Sequence, residues 1–206
     1  MTVDELVESL RSHRQRNGDG DRGRIVVGLA GPPGVGKSTV SERLAIETGA
    51  VIAPMDGFHL PNAELDRLDR RGRKGAPDTF DSDAFVGAVE DVCAARRDVA
   101  WPTFDRDLDE PVVGGMTIPA EADLVVVEGN YLLLDDEPWS RLRSLLSPMV
   151  YLHVDDDVRR RRLVERHVRF GRSEMDAARF VDESDEANAA LVRSTRHRAD
   201  LVVAVD

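Results

Sequence analysis

Several things are scarce in this chain, and each scarcity excludes something. A single cysteine, Cys93, permits no internal disulfide and points to a reducing compartment, the cytoplasm. It falls at apolar spacing with Phe85, Val86 and Val89, which reads as a small core residue and not a nucleophile. Aromatic residues make up only 5%, so the core must be built mostly of Val, Leu and Ala. No apolar run approaches the roughly 18 residues that span a bilayer. The N-terminus, MTVDELVESL, lacks the basic-then-apolar order of a signal peptide. Positive charge is in deficit: 28 basic against 39 acidic residues give −11, which argues against bulk binding to nucleic acid or anionic membrane. Lysine is nearly missing. Only Lys37 and Lys74 are lysines, leaving 26 arginines, so a compact ammonium is expected to matter at those two places. What remains, 41% hydrophobic and 33% charged over 206 residues, fits one globular domain spanning residues 1–206.

Apolar patterning gives the organisation. Residues 2–16 read as a short amphipathic helix, and NGDGDRG after them as a flexible connection, so that residues 1–20 form an N-terminal appendage. Continuous apolar runs at 24–30, 51–53, 124–127, 149–154 and 201–205 read as strands buried on both faces. Helical patterns fall at 36–48, 82–96, 155–170 and 174–193. This alternation predicts a three-layer α/β fold with a five-stranded parallel sheet. Segments 57–81 and 105–122, rich in Pro, Gly and charge, read as excursions over the top edge of that sheet.

The strongest motif is Gly31-Pro-Pro-Gly34-Val35-Gly36-Lys37-Ser38-Thr39, which satisfies G-x-x-x-x-G-K-[ST] between a strand and a helix. Its glycines allow backbone N–H groups to converge on phosphate oxygens at a helix N-terminus. Lys37 is placed for the β and γ phosphates, and the Ser38 hydroxyl for Mg²⁺. Two carboxylates follow strand ends on the same side: Asp56 after Val51–Ala53, and Glu128 after Leu124–Val127. Asp56 is suited to accept the proton of an attacking hydroxyl, although a turn residue before Gly57 would look the same. Glu128 suits Mg²⁺ or its waters, and a solvated strand-end acid is the alternative.

The segments PMDGFHLPN, RKGAPDTFD (73–81) and VVVEGNYLL (125–133) resemble the uridine kinase, phosphoribulokinase and pantothenate kinase group of P-loop kinases. The resemblance runs from about Ile25 to Val205 and is closest to small bacterial members. It implies the sheet order 2-3-1-4-5, ATP as phosphoryl donor, and Asp56 as catalytic base. It also implies that residues 155–172 form an Arg-rich lid. Arg159, Arg162, Arg166 and Arg169 share one helical face there, and VERHVRFGR matches the stretch that places an arginine on the phosphates, at Arg166. Arg166 and Arg162 are therefore the functional candidates, and the remaining arginines are expected at the surface. STRHRADLVV resembles the turn beside the adenine, which makes Arg196 and His197 candidates for base contact.

Acceptor contacts are expected from His59, Arg73, Lys74, Asp78 and Phe80 in the first excursion and from Asp105 and Arg106 in the second. Asn130 and Tyr131 complete the set. Each of these also has an ordinary turn or surface explanation. Taken together, the residues predict an ATP- and Mg²⁺-dependent kinase acting on a hydroxyl of a small nucleoside- or sugar-like molecule, with pantothenate next. A P-loop ATPase acting as a switch or assembly factor is the competing class. The sequence leaves open whether the chain is a monomer or a homodimer.

Overall fold

The computed structural model describes residues 1–16 and 23–205, with the side chains of 13–16 left aside. The connection expected at 17–23 lies, but for Gly23, outside the described residues. The chain begins with α1 (Val3–Arg16), β1 (Ile25–Ala30), α2 (Lys37–Thr48) and β2 (Val51–Pro54). Next come α3 (Asn62–Arg67), α4 (Ser82–Ala94), β3 (Val99–Asp105), β4 (Glu110–Ile118) and β5 (Leu124–Gly129). The last part holds α5 (Leu142–Leu145), β6 (Met149–His153), α6 (Asp156–Arg169), α7 (Glu174–Phe180), α8 (Glu186–Ser194) and β7 (Leu201–Ala204).

Five strands make a parallel sheet in the order β2-β5-β1-β6-β7, which is 2-3-1-4-5 when only these strands are counted. Side chains alternate between its two faces. Val26, Val125, Val127 and Tyr151 join one apolar cluster; Val27, Leu29, Val126, Val150 and Leu152 join the other. Leu6, Val7 and Leu10 of α1 close the second cluster, which explains the amphipathic pattern at the start of the chain. Cys93 packs against the first cluster, its thiol on the Leu145 carbonyl at 3.3 Å, as a small core residue should.

One expectation needs correction here. The stretch read as an irregular excursion at 105–122 is half of an antiparallel hairpin, β3 with β4, that begins earlier at Val99. Pro102 hid the first strand, because proline cannot donate to a ladder; here it sits where the register shifts between Trp101 and Thr103. The helix expected over 174–193 is present from Glu174 to Ser194, with its middle turn at Val181–Asp185 widened to a π-helix between α7 and α8. That turn points Asp185 inward, where it is 7% exposed and takes a 2.8 Å bond from His167 Nε2.

Candidate phosphoryl-transfer site

Register brings the motifs together. Glu128 of β5 lies opposite Leu29 of β1 and Pro54 of β2, so the phosphate loop, Glu128 and Asp56 leave the same edge of the sheet. Gly34 and Gly36 hold left-handed φ values of 79° and 101°, which the loop's curl requires. Gly34 is also a packing requirement. A Cβ there would lie 2.7 Å from Leu163 Cγ and 2.9 Å from the Arg159 carbonyl, so α6 presses directly on the loop. Val35 is fully buried and contributes only backbone to the loop's surface, whereas Ser38 and Thr39 stand exposed at the start of α2.

Lys37 turns back over the loop. Its Nζ donates to the carbonyls of Gly31 at 2.9 Å and Pro32 at 3.3 Å, and to Asn130 Oδ1. Burial pulls its pKa down to about 8, against the pull of Glu128 and Asp56 in the other direction. Ser38 Oγ donates to Glu128 Oε1 at 3.2 Å, which joins the two candidate metal ligands. Burial raises the Glu128 pKa, and the nearby Asp56 charge raises it further. These are two hard oxygen donors side by side, and Mg²⁺ commonly takes few protein oxygens and keeps several waters, so they fit it. Among the described residues no cluster of three His, Cys, Asp or Glu could hold a metal by itself.

Asp56 sits in a 3-10 turn, Met55–Phe58, directly after β2. Gly57 serves close approach and not a left-handed turn, since a Cβ on it would lie 2.0 Å from the Pro102 carbonyl oxygen. The missing side chain is what lets β3 pass beside the carboxylate. Burial alone would raise the Asp56 pKa, but His59, Arg106, Lys37 and Arg166 outweigh it and hold the group down. Burial also lowers the His59 pKa, so toward neutral pH the charges of Arg106, Lys37 and Arg166 carry the effect. Arg106 comes nearest, with Nη2 3.3 Å from Asp56 Oδ2.

The helix α6 supplies the other cations. Arg166 is half-buried, and burial lowers its pKa while Asp185 and Asp56 favour its charge. Arg162 Nη1 lies 3.8 Å from where a Cβ on Gly36 would sit. Arg159 corrects an expectation. Expected at the surface, it is completely buried, with its Nε 2.9 Å from Asp156, Nη1 on the Pro33 carbonyl at 3.3 Å, and Nη2 on Glu186. It supports the loop from below. The only forewarning was an acid three residues earlier.

The acceptor candidates divide. His59 borders Asp56, with Nδ1 2.8 Å from the Asp56 carbonyl and its ring against Phe80 and Phe104. Asn130 and Arg106 also reach the site. Tyr131 and Phe80 do not act as its polar lining: both are core residues packed with Trp139, and the Tyr131 hydroxyl is spent on the Gly75 carbonyl. Asp105 caps the N–H groups of Asp107 and Leu108 at the hairpin tip. Arg73 and Asp78 pair with each other through two bonds. Arg73 does border a cavity of about 350 Å³, where the first excursion faces Phe180, Glu183 and Asn188. Lys74 lies 3.1 Å from Asp109 Oδ2, 2.7 Å from Asn62 Oδ1 and 4.9 Å from the centre of the Phe104 ring. It fastens the hairpin to the first excursion. Arg196 and His197 are exposed next to β7, with the Arg196 guanidinium 6.0 Å over Tyr151.

No protein-family model matches the chain. An Escherichia coli protein named "Uncharacterized protein YggC" is 37% identical over 187 residues, covering 87% of this chain and 77% of that one. The Schizosaccharomyces pombe "Putative uridine kinase C227.14" is 36% identical over 195 residues, covering 87% and 83%. Among solved structures, the "putative fructose transport system kinase" of Silicibacter sp. TM1040 superposes with a TM-score of 0.88 at 34% identity, over 98% of each chain.

Proposed function

The chain belongs to the uridine kinase, phosphoribulokinase and pantothenate kinase group of P-loop kinases, and from that membership we propose how it works. It is an ATP-dependent small-molecule kinase, and its acceptor is a hydroxyl of a nucleoside- or sugar-like molecule. The observation that carries this reading is the position of Asp56, a carboxylate after β2 on the sheet edge that also bears the phosphate loop. A switch ATPase would need a positioned water there instead of room for an alcohol.

In the proposed reaction Asp56 orients the acceptor hydroxyl and takes its proton. The hydroxyl oxygen bonds to the γ-phosphorus as the bond to the bridging oxygen of ADP breaks. Loop N–H groups from Gly34 to Thr39 hold the phosphates, and Lys37, Arg162 and Arg166 offset charge on the moving phosphoryl group. Ser38 and Glu128 would hold Mg²⁺, which when bound supplies further neutralisation of phosphate charge. Residues 155–172 act as the lid, and Arg196 with His197 borders the base.

ADP release with and without candidate alcohols tests the proposal, for the parent and for Asp56→Asn. The acceptor-stimulated rate should fall by about 10²–10⁴ in the variant, while unstimulated hydrolysis falls much less. Equal losses in both rates, or no stimulating alcohol in a broad screen, would favour the switch ATPase.

A further inference from the structure

Arg106 is placed where a kinase of a neutral alcohol has little use for it. A half-exposed ion pair contributes little to stability, and Arg106 and Asp56 are 45% and 37% exposed. A permanent guanidinium beside a general base also lowers its proton affinity, which works against proton transfer near neutral pH. Lys37 and Arg166 already face Asp56 from the loop and from α6. A third cation serves a purpose if it is drawn to something else when the acceptor arrives.

The position of Arg106 is built. Asp105 accepts from the N–H groups of Asp107 and Leu108 at 2.9 and 3.0 Å, which fixes the tip that carries it. Lys74 binds Asp109 from below, and Asn62 donates to the Asp109 carbonyl at 2.8 Å and from its N–H to Glu110. Gly57 then allows β3 to bring the tip over Asp56. These contacts hold the backbone, while the half-exposed guanidinium meets Asp56 through a single 3.3 Å contact.

We infer that Arg106 binds an anionic group on the acceptor, a carboxylate or a phosphate monoester, close to the hydroxyl that is phosphorylated. This rests on the kinase reading given above. Before binding, Asp56 stands in for that anion. When the acceptor enters, its oxyanion takes the guanidinium in a two-point contact and Asp56 is released to act as base. A neutral alcohol would have to compete with Asp56 without offering a replacement charge. Selectivity for an acid over its uncharged counterpart follows.

Matched pairs test this with the full chain, ATP and Mg²⁺: pantothenate with panthenol, gluconate with glucitol, and ribose 5-phosphate with ribose, with uridine as a further neutral alcohol. ADP release should be faster with the charged member of a pair, by roughly 10- to 100-fold in kcat/KM. The pair that shows this distinguishes carboxylate from phosphate. Arg106→Gln should raise KM for that member by a similar factor and erase the preference, and Arg106→Lys should restore part of it. Equal or better use of neutral members or of uridine, or an unchanged preference in Arg106→Gln, would overturn the inference. Failure of every alcohol, charged and neutral, to stimulate would overturn the kinase reading itself.

Discussion

The ammonium of Lys37 donates to the side-chain oxygen of Asn130, tying the phosphate loop to the segment after β5. With two loop carbonyls as further acceptors, the cation rests on neutral oxygens and is available to an anion. Lys37→Ala should weaken ATP binding by roughly 10- to 100-fold, as expected for a lost charge-assisted bond. Titration calorimetry checks this, and unchanged affinity would remove the loop from the nucleotide site.

The same residue sets a pH dependence. With a pKa near 8 in the nucleotide-free protein, Lys37 loses its proton as pH rises through that value. Phosphates favour the charged form, so binding ATP must then take up a proton, and the Kd should rise above pH 8 by up to about tenfold per pH unit. Below pH 7 this residue should contribute no slope. Parent and Lys37→Ala compared across pH 6.5–9.5 isolate the effect.

Arg166→Ala should lower kcat by roughly 100-fold and change KM for ATP much less, because its contact strengthens as charge develops on the phosphoryl group. Steady-state kinetics decide between this and an arginine that only decorates α6.

Gly57→Ala should destabilise the fold by about 1–3 kcal/mol, because the new methyl meets the Pro102 backbone and not a movable side chain. A lower denaturant midpoint is the readout. Acceptor turnover should fall as well, since the hairpin can yield only by moving away from Asp56.

Arg159→Met should cost about 1–3 kcal/mol, since the buried Pro33 carbonyl loses its side-chain donor while Glu186 keeps Arg160 and Arg193. Chemical denaturation checks the loss. Weaker ATP binding should accompany it, because the loop loses its support.

The parallel sheet was legible because its inner strands β1, β5 and β6 are buried on both faces and read as unbroken apolar runs. The half-buried edge strands β2 and β7 are short apolar runs as well. The phosphate loop and the two strand-end carboxylates were legible because their chemistry fixes both residue type and spacing. The hairpin was not, because it is a two-stranded ribbon with exposed Val112 and Val113 and with Pro102 in the way. The roles of Tyr131, Phe80 and Arg159 depend on what packs against them from distant parts of the chain. Residue type made the first two look like ligands and the third like surface. Lys74 stood out by rarity alone, and only the three-dimensional arrangement showed that it fastens the hairpin.

The near absence of lysine has a practical consequence. Apart from the chain's amino terminus, only two amines can react with an acylating reagent, and Lys74 is mostly covered and bound to Asp109. Lys37, with its pKa near 8, offers a deprotonated amine at mildly alkaline pH. A dye ester applied there would label the phosphate loop at Lys37 as well as the amino terminus. Bound nucleotide would shield Lys37, so the change in labelling of that one lysine reports occupancy.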